Sequence, residues 1–283
     1  MKRVLVAGAT GYLGRFVVKE LKSRGYFVRA LSRASGKLDG LSPAPDEVAV
    51  GEVTRPETLE GICDSIDVVF SSVGITRQKD GLTFKDVDYQ GNKNLLDAAK
   101  RAGVKKFIYV SVVDGPQLRH LDIVRAHEDF VDKLRESGLE HTVVRATGFF
   151  SDMGEIYQMA QKGRVYLFGS GDSRCNPIHG ADLAARCADA IEDNESEVVV
   201  GGPETMTWRK IAKVAFAAQS KPAKLTSVPL WVMSLVISVT RLFSRHNAEL
   251  VAFFTAMATR DVVGPAFGKH TLAEHYRSLE AAR

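Results

Sequence analysis

Residues 3 to 14 read RVLVAGATGYLG. A short β-branched run, RVLVA, ends at Gly8, and an amphipathic stretch follows, with apolar positions at 13, 16, 17, 18 and 21. The run has the pattern of a buried parallel strand and the stretch has helical periodicity, closed by Gly25 as a C-cap. Three glycines, Gly8, Gly11 and Gly14, punctuate the turn between them. Each has a physical task. Gly8 permits a sharp exit from the strand, Gly11 lets a bound group approach the backbone, and Gly14 lets the helix pack close to the sheet. The unpaired N–H groups and positive dipole end of the helix then face the turn, which is an arrangement for binding a pyrophosphate. A glycine triplet alone is weak evidence. In its strand–turn–helix context it points to a dinucleotide.

Further strands are expected at FVRAL (27–31), EVAV (47–50), DVVFSSV (67–73), KFIYVSVV (106–113) and HTVVRA (141–146). Helices are expected to start at 54–60, to run through NKNLLDAAKRAG (92–103), and to span about 124–137. Alternation of this kind implies βαβ units with right-handed crossovers: an α/β, Rossmann-type, doubly wound parallel sheet with helices on both faces. The rhythm changes after about residue 150. Strands are expected at 163–169 and 197–202, and helices at 182–192 and 207–219, the last with Thr207 as N-cap. The division expected is therefore a dinucleotide-binding domain over 1–150 and a smaller substrate-binding C-terminal region over 151–283, interleaved with the sheet.

Composition narrows the function. The net charge is +4, from 38 basic and 34 acidic residues. That is too mild to argue for nucleic acid. The three cysteines, Cys63, Cys175 and Cys187, are odd in number and far apart, which suits a reducing cytoplasm better than a disulfide framework or a zinc site. The apolar start of the chain is interrupted by GATG too soon for a signal h-region, so it reads as a strand. VPLWVMSLVISVTRLF (228–243) is strongly apolar but shorter than the ~20 residues a spanning helix needs. It reads as a buried or substrate-covering helix, with membrane-surface contact as the alternative, because Trp231, Arg241 and Arg245 suit an interface.

The end of the second strand selects the dinucleotide. An NAD site wants an acid about 20 residues past the first glycines, but here the strand runs ALSRASG with no acid before Asp39. Arg33 stands at its tip, and a guanidinium suits a 2′-phosphate. NADP(H) is the cofactor expected, with Ser32, Ser35 and Lys37 as helpers.

GATGYLG, VRALSR and VDYQGNKNLLDAAKRAGVKKFIYVS together resemble the extended and atypical short-chain dehydrogenase/reductase superfamily, and within it the NmrA-like branch. SGLEHTVVRATGFF (137–150) and NPIHGADLA (176–184) strengthen the resemblance, although Ala146 stands where that branch usually has proline. The likeness covers roughly residues 1–200. It implies that Gly8, Thr10, Gly11, Tyr12, Leu13 and Gly14 form the phosphate turn and that Arg33 holds the 2′-phosphate. Glu52 and Val53 are implied near adenine, and Ser72, Val73 and Gly74 beside ribose and pyrophosphate. Ser111 matches the active-site serine position.

The resemblance also implies a catalytic Tyr-x-x-x-Lys pair, a phenol tuned toward neutral pH by its lysine. The one such spacing in the chain, Tyr89 to Lys93, precedes the strand that the pair should follow. The expected location reads DIVRAHEDF, with Ile123 at the tyrosine position and His127 at the lysine position. His127 either gives a proton or bonds the ribose, as an imidazole titrating near neutrality can, or it is a polar helix residue bonded to a neighbour. Arg145 is a candidate for an anionic substrate or a structural ion pair. Phe149, which opens the second region, and Tyr157 are the remaining substrate-side candidates, Tyr157 with packing as its alternative role. Three functions stay open: a reductase acting on a small apolar carbonyl, imine or enone with His127 or water supplying the proton; a nucleotide-binding sensor or assembly protein; and a membrane-surface helper. The oligomeric state is likewise open.

Overall fold

The computed structural model describes residues 1–75 and 81–282. In chain order the elements are β1 (Arg3–Ala7), α1 (Tyr12–Ser23), β2 (Phe27–Ser32), β3 (Glu47–Val50), β4 (Val68–Ser71), α2 (Asn92–Arg101), β5 (Lys106–Val112), α3 (Asp122–Glu136) and β6 (Glu140–Ala146). There follow α4 (Gly154–Gln161), β7 (Val165–Phe168), β8 (Arg174–Cys175), α5 (Gly180–Asp189), β9 (Glu197–Val200) and β10 (Met206–Thr207). The chain ends with α6 (Trp208–Ala218), β11 (Leu225–Val228), α7 (Leu230–Phe243), α8 (Arg245–Ala258) and α9 (Leu272–Ala281).

The main sheet has the order β3-β2-β1-β4-β5-β6-β9. The pairings β2/β3, β1/β2, β1/β4 and β4/β5 are all parallel. This is the doubly wound arrangement the alternation predicts. Its chain order reverses between β1 and β4, so the carboxyl ends of those two strands open the crevice where α/β sheets take their ligands. Val4 to Ala7 of β1 and Val68 to Phe70 of β4 are almost wholly buried. Each large aliphatic side chain contributes about 1.5–3 kcal/mol when taken out of water, so the strands that carry the crevice are firmly held in the core.

Two expected helices change. The segment after Thr54 forms only a 3₁₀ turn, Pro56–Leu59. Glu60 is extended and Gly61 turns left-handed, so a longer helix cannot continue there. The helix before β5 is also longer than expected at its start, because a π-helical turn, Lys85–Gly91, runs directly into α2. Such turns concentrate at functional sites, and this one carries Asp88.

The chain divides into two compact units: Met1–Arg145 with Leu183–Val198, and Ala146–Asp182 with Val199–Arg283. The first break falls at 145/146 rather than 150/151, and residues 183–198 return to the first unit. The return is tied down by Arg24, which pairs with Asp189 at 2.7 Å, and by Lys2, which pairs with Glu192 at 2.8 Å.

In the second unit, Asn176 explains much of the NPIHGADLA run. It is buried, its amide donates to the carbonyls of Gly202 and Gly264 at 3.1 and 2.9 Å, and its oxygen accepts from Gly264 N–H at 3.0 Å. The expected Thr207 cap is present, accepting from Lys210 N–H at 3.1 Å. The apolar segment 228–243 forms α7 as expected, but it is not a buried helix, since Met233 is its one buried residue.

Candidate functional site

The turn after β1 is built around the carbonyl of Gly8. Gly8 has φ +83°, a conformation that L side chains rarely adopt. Its carbonyl accepts from Gly11 N–H at 2.9 Å. A Cβ on Gly14 would stand 2.0 Å from that same oxygen, so the first turn of α1 can lie against the end of β1 only because residue 14 lacks a side chain. No side chain caps α1, and its first turn holds no acid. The first-turn N–H groups of a helix have no intrahelical partner and stand at the positive end of its dipole, where an anion is favoured. Leu13 is buried beneath the turn and anchors it. The cradle fits a pyrophosphate on backbone geometry alone.

Arg33 lies exposed just past β2. Ser32 is turned inward, with its hydroxyl donating to Ala34 C=O at 2.7 Å. Arg15 is a cation of this region that sequence reasoning missed. Its guanidinium reaches Thr10 C=O at 3.3 Å and Lys37 C=O at 2.9 Å, tying the phosphate turn to the 3₁₀ turn Ser35–Leu38. Arg15 and Lys37 thus share one edge of the turn. Its signal was present: an arginine one helical turn past Gly11.

Glu52 and Val53 follow β3. Glu52 N–H donates to the Thr58 hydroxyl at 2.9 Å, and Val53 C=O accepts from Asn94 at 2.9 Å. At the end of β4, Ser72 N–H donates to Ala7 C=O at 3.2 Å, which sets Ser72 beside Gly8. Val73 C=O accepts from Asn92 at 3.1 Å. Gly74 lies against Asp88 and His127, and a Cβ there would stand 2.9 Å from Asp88 Oδ1. The structure therefore brings residues 8–14, 72–74 and His127 to one end of the β1–β4 pair, while Glu52 and Val53 stand after the neighbouring β3.

His127 is fully engaged. Its Nδ1 is 2.5 Å from the Tyr109 hydroxyl and its Nε2 is 3.1 Å from Asp88 Oδ1. Tyr109 is completely buried, and burial, with the Asp88 and Glu128 carboxylates near it, holds its phenol well above the usual tyrosine range. A protonated phenol donates to Nδ1, which leaves Nε2 to face Asp88. Burial raises the Asp88 carboxyl, and the His127 hydrogen bond opposes that rise. Of the His127 side chain, 18% is exposed. Ile123, at the expected tyrosine position, is buried. The expected decoy pair is also plain: Lys93 bonds Asp97 at 2.8 Å along α2.

Ser111 and Arg145 belong to a second buried group. Ser111 donates to Glu128 at 3.1 Å, and Arg145 grips the same carboxylate through Nη1 at 2.6 Å and Nη2 at 3.0 Å. Arg145 also reaches Val112 C=O at 3.0 Å and Glu197 at 2.9 Å. Burial lowers the Arg145 pKa, but its bonds to Glu128 and Glu197 raise it further, so the net shift is upward. These contacts put Arg145 in a structural ion pair, leaving it poorly placed for an anionic substrate. Glu128 was missed in the sequence, although it shares the inward face of α3 with Val124 and Val131. A glutamate on an apolar face signals a buried partner.

In the second unit, Tyr157 is buried, donates to Glu280 and stacks on Tyr276 with ring centroids 5.4 Å apart. That is a packing role. Phe149 is half-buried and its backbone bridges Ile178.

Comparison with known proteins agrees with this geometry. Residues 8–194 match the NAD(P)H-binding family. The chain is 31% identical to divinyl chlorophyllide a 8-vinyl-reductase of Cucumis sativus, over 98% of this chain and 69% of that protein. Against the Arabidopsis thaliana protein of the same name it is 32% identical, over 83% of this chain and only 62% of the relative. It is 27% identical to the photosystem II assembly factor Ycf39 of Synechocystis, over 91% of this chain and 80% of that one. In fold it resembles an NADPH-dependent quinone oxidoreductase of Escherichia coli, with TM-score 0.77 and 19% identity over 98% of this chain and 99% of the other. A triphenylmethane reductase of Citrobacter gives TM-score 0.74 at 18% identity, over 99% and 100% of the two chains. At such identities the two structures speak to the fold alone. With the family match spanning the phosphate turn, the strand switch point and His127, the chain is a member of the NAD(P)H-binding family.

Proposed function

We propose that this chain is an NADPH-dependent reductase acting on an apolar carbonyl, imine or conjugated double bond. The observation that carries the reading is the glycine cradle at the end of β1, in which Gly14 is held so close to Gly8 that no other residue fits. The backbone there binds the pyrophosphate. Arg33 takes the 2′-phosphate, and Arg15 and Lys37 add positive charge on the same side. When bound, the cofactor supplies the hydride. The cucumber relative, named as a vinyl-reductase, supports the double-bond end of the substrate range.

His127 takes a positioning role in this reading. With Nδ1 bonded to the Tyr109 hydroxyl and Nε2 to Asp88, neither ring nitrogen is left to give a proton to a substrate. Water therefore supplies the proton, and His127 presents a fixed polar edge beside Gly74. The test is a calorimetric titration with NADPH and NADH on wild type and Arg33→Ala, followed by NADPH oxidation across a panel of quinones, imines and enones. Tighter NADPH binding that depends on Arg33, with turnover of at least one class, is expected. Absence of binding to either nucleotide would overturn the reading.

A second reading is a nucleotide-binding assembly or regulatory protein. The commitment of both His127 nitrogens favours it, as does the similarity to relatives named assembly factors. Tight NADPH binding with no turnover across the panel would select it.

A further inference from the structure

One side chain, Asn92, takes the place of a backbone donor at the π-helical turn Lys85–Gly91. In an α-helix the Asn92 N–H would bond the Asp88 carbonyl, four residues back. Here it goes to Tyr89 C=O, and the Asp88 carbonyl accepts from the Asn92 side chain at 2.8 Å. A side chain inserted into the backbone ladder distorts a helix in this way. Each α-helical residue turns the chain by roughly 100°, so the added residue of a π-turn re-aims the side chains before it. Asp88 is one of them.

The rest of the Asn92 amide faces the end of β4. Its oxygen accepts from the Ser71 hydroxyl at 2.5 Å, and its nitrogen also donates to Val73 C=O at 3.1 Å. The Ser71 oxygen in turn accepts from Val73 N–H at 3.3 Å. Ser71, Asp88 and Asn92 are all fully buried. Both amide hydrogens and the amide oxygen of Asn92 are therefore engaged, and a buried polar network satisfied in this way is rigid.

Asp88 completes the clamp. Its carboxylate accepts from Ile75 N–H, at 3.4 Å to Oδ1 and 3.3 Å to Oδ2, and lies 3.1 Å from His127 Nε2. Gly74 packs against the same carboxylate and the His127 ring. Three consecutive residues after β4 are thus fixed by two side chains four positions apart: Val73 by Asn92, Gly74 and Ile75 by Asp88.

We infer that Asn92 is a positioning residue: it opens the π-turn, aims Asp88 at Ile75 and His127, and with Asp88 clamps residues 73–75 for the nucleotide. The service to the nucleotide rests on the NADPH reading; the clamp itself does not.

The test uses Asn92→Ala in the full chain, with Gln90→Ala, at an exposed position of the same turn, as control. In Asn92→Ala, amide hydrogen exchange at Ile75 speeds up at least about tenfold while the β5 amides keep their protection. The His127 ring nitrogen shifts move, because Asp88 loses its aim. NADPH affinity falls about tenfold, as the loss of one or two buried hydrogen bonds at the segment implies. Gln90→Ala changes none of the three. If Asn92→Ala does not fold, Ser71→Ala replaces it, removing only the hydroxyl that holds the Asn92 oxygen, and speeds Ile75 exchange about threefold or more. Wild-type Ile75 exchange and His127 shifts in the folded variant overturn the proposal. Exchange that rises equally at Ile75 and in β5 also overturns it, since Asn92 would then serve stability alone. Unchanged NADPH affinity beside faster Ile75 exchange overturns the service to the nucleotide. A wild-type chain that binds neither NADPH nor NADH overturns the NADPH reading and that service with it, while Ile75 and His127 still decide whether Asn92 sets the clamp.

Discussion

The Asp88 carboxylate lies 3.1 Å from Nε2 of His127, although the two residues are 39 positions apart and belong to different helical segments. With the Tyr109 phenol on the other ring nitrogen, it holds the imidazole in one tautomer. Asp88→Ala leaves that Nε2–H without its acceptor and should cost roughly 1–3 kcal/mol of stability, measured by denaturant unfolding. Nitrogen chemical shifts of the ring should show hydrogen on Nε2 in wild type and a mixture of tautomers in the variant. An unchanged, single tautomer would show that Asp88 does not set it.

Gly14→Ala should remove NADPH binding, lowering affinity at least about 100-fold, because its Cβ would displace the Gly8 carbonyl that shapes the phosphate turn. Gly154→Ala is the matched control. No atom lies within 4 Å of its would-be Cβ, and at the start of α4 it should be neutral or stabilising by up to about 1 kcal/mol. Titration calorimetry and thermal melts separate the two.

Arg33→Ala should weaken NADPH by about 10- to 100-fold and leave NADH almost unchanged, since the proposed reading gives Arg33 the 2′-phosphate that NADH lacks. Equal loss for both nucleotides would place Arg33 outside that contact.

Glu128→Ala strands the Arg145 guanidinium in the interior and should cost roughly 3–5 kcal/mol in urea unfolding. Pairing it with Arg145→Met should recover a large part of that loss, because the stranded charge goes with its partner. A strictly additive double variant would show that the pair does not couple.

His179 gives the pH prediction. Burial, then the neighbouring His270 and His275, push its pKa down to about 4, and its Nδ1 accepts from Ala181 N–H at 3.2 Å. The folded state thus binds fewer protons than the unfolded chain between about pH 4 and the ordinary histidine range near 6.5. Stability rises with pH across that window and is lost as the pH falls through it. After allowance for solvent screening of this half-buried ring, the contribution is roughly 1 kcal/mol. His179→Phe should flatten the dependence, as read from melting temperatures at pH 4.5 and 7.5.

The Rossmann architecture was legible because its signals are local. A β-branched run, a glycine turn and an amphipathic helix occupy adjacent residues, and their spacing alone sets backbone conformation around Gly8 and Gly14. The helix expected at about 124–137 and the apolar segment 228–243 likewise lie within two residues of the observed starts of α3 and α7. The helix expected after Thr54 was not, because Glu60 and Gly61 leave helical space after one short turn.

What the sequence determined by itself was the sheet, the phosphate turn, the Arg33 tip and the absence of a Tyr-x-x-x-Lys pair at its expected place. Only the tertiary structure decided what His127 does, because its partners Asp88 and Tyr109 come from a π-helical turn and a buried strand that meet through packing. The same holds for Glu128 with Arg145, and for α7, whose apolar pattern reads alike for a covered helix and an exposed one. Local spacing encodes backbone geometry, but the pairing of distant polar groups and the covering of an apolar face depend on which elements the fold brings side by side.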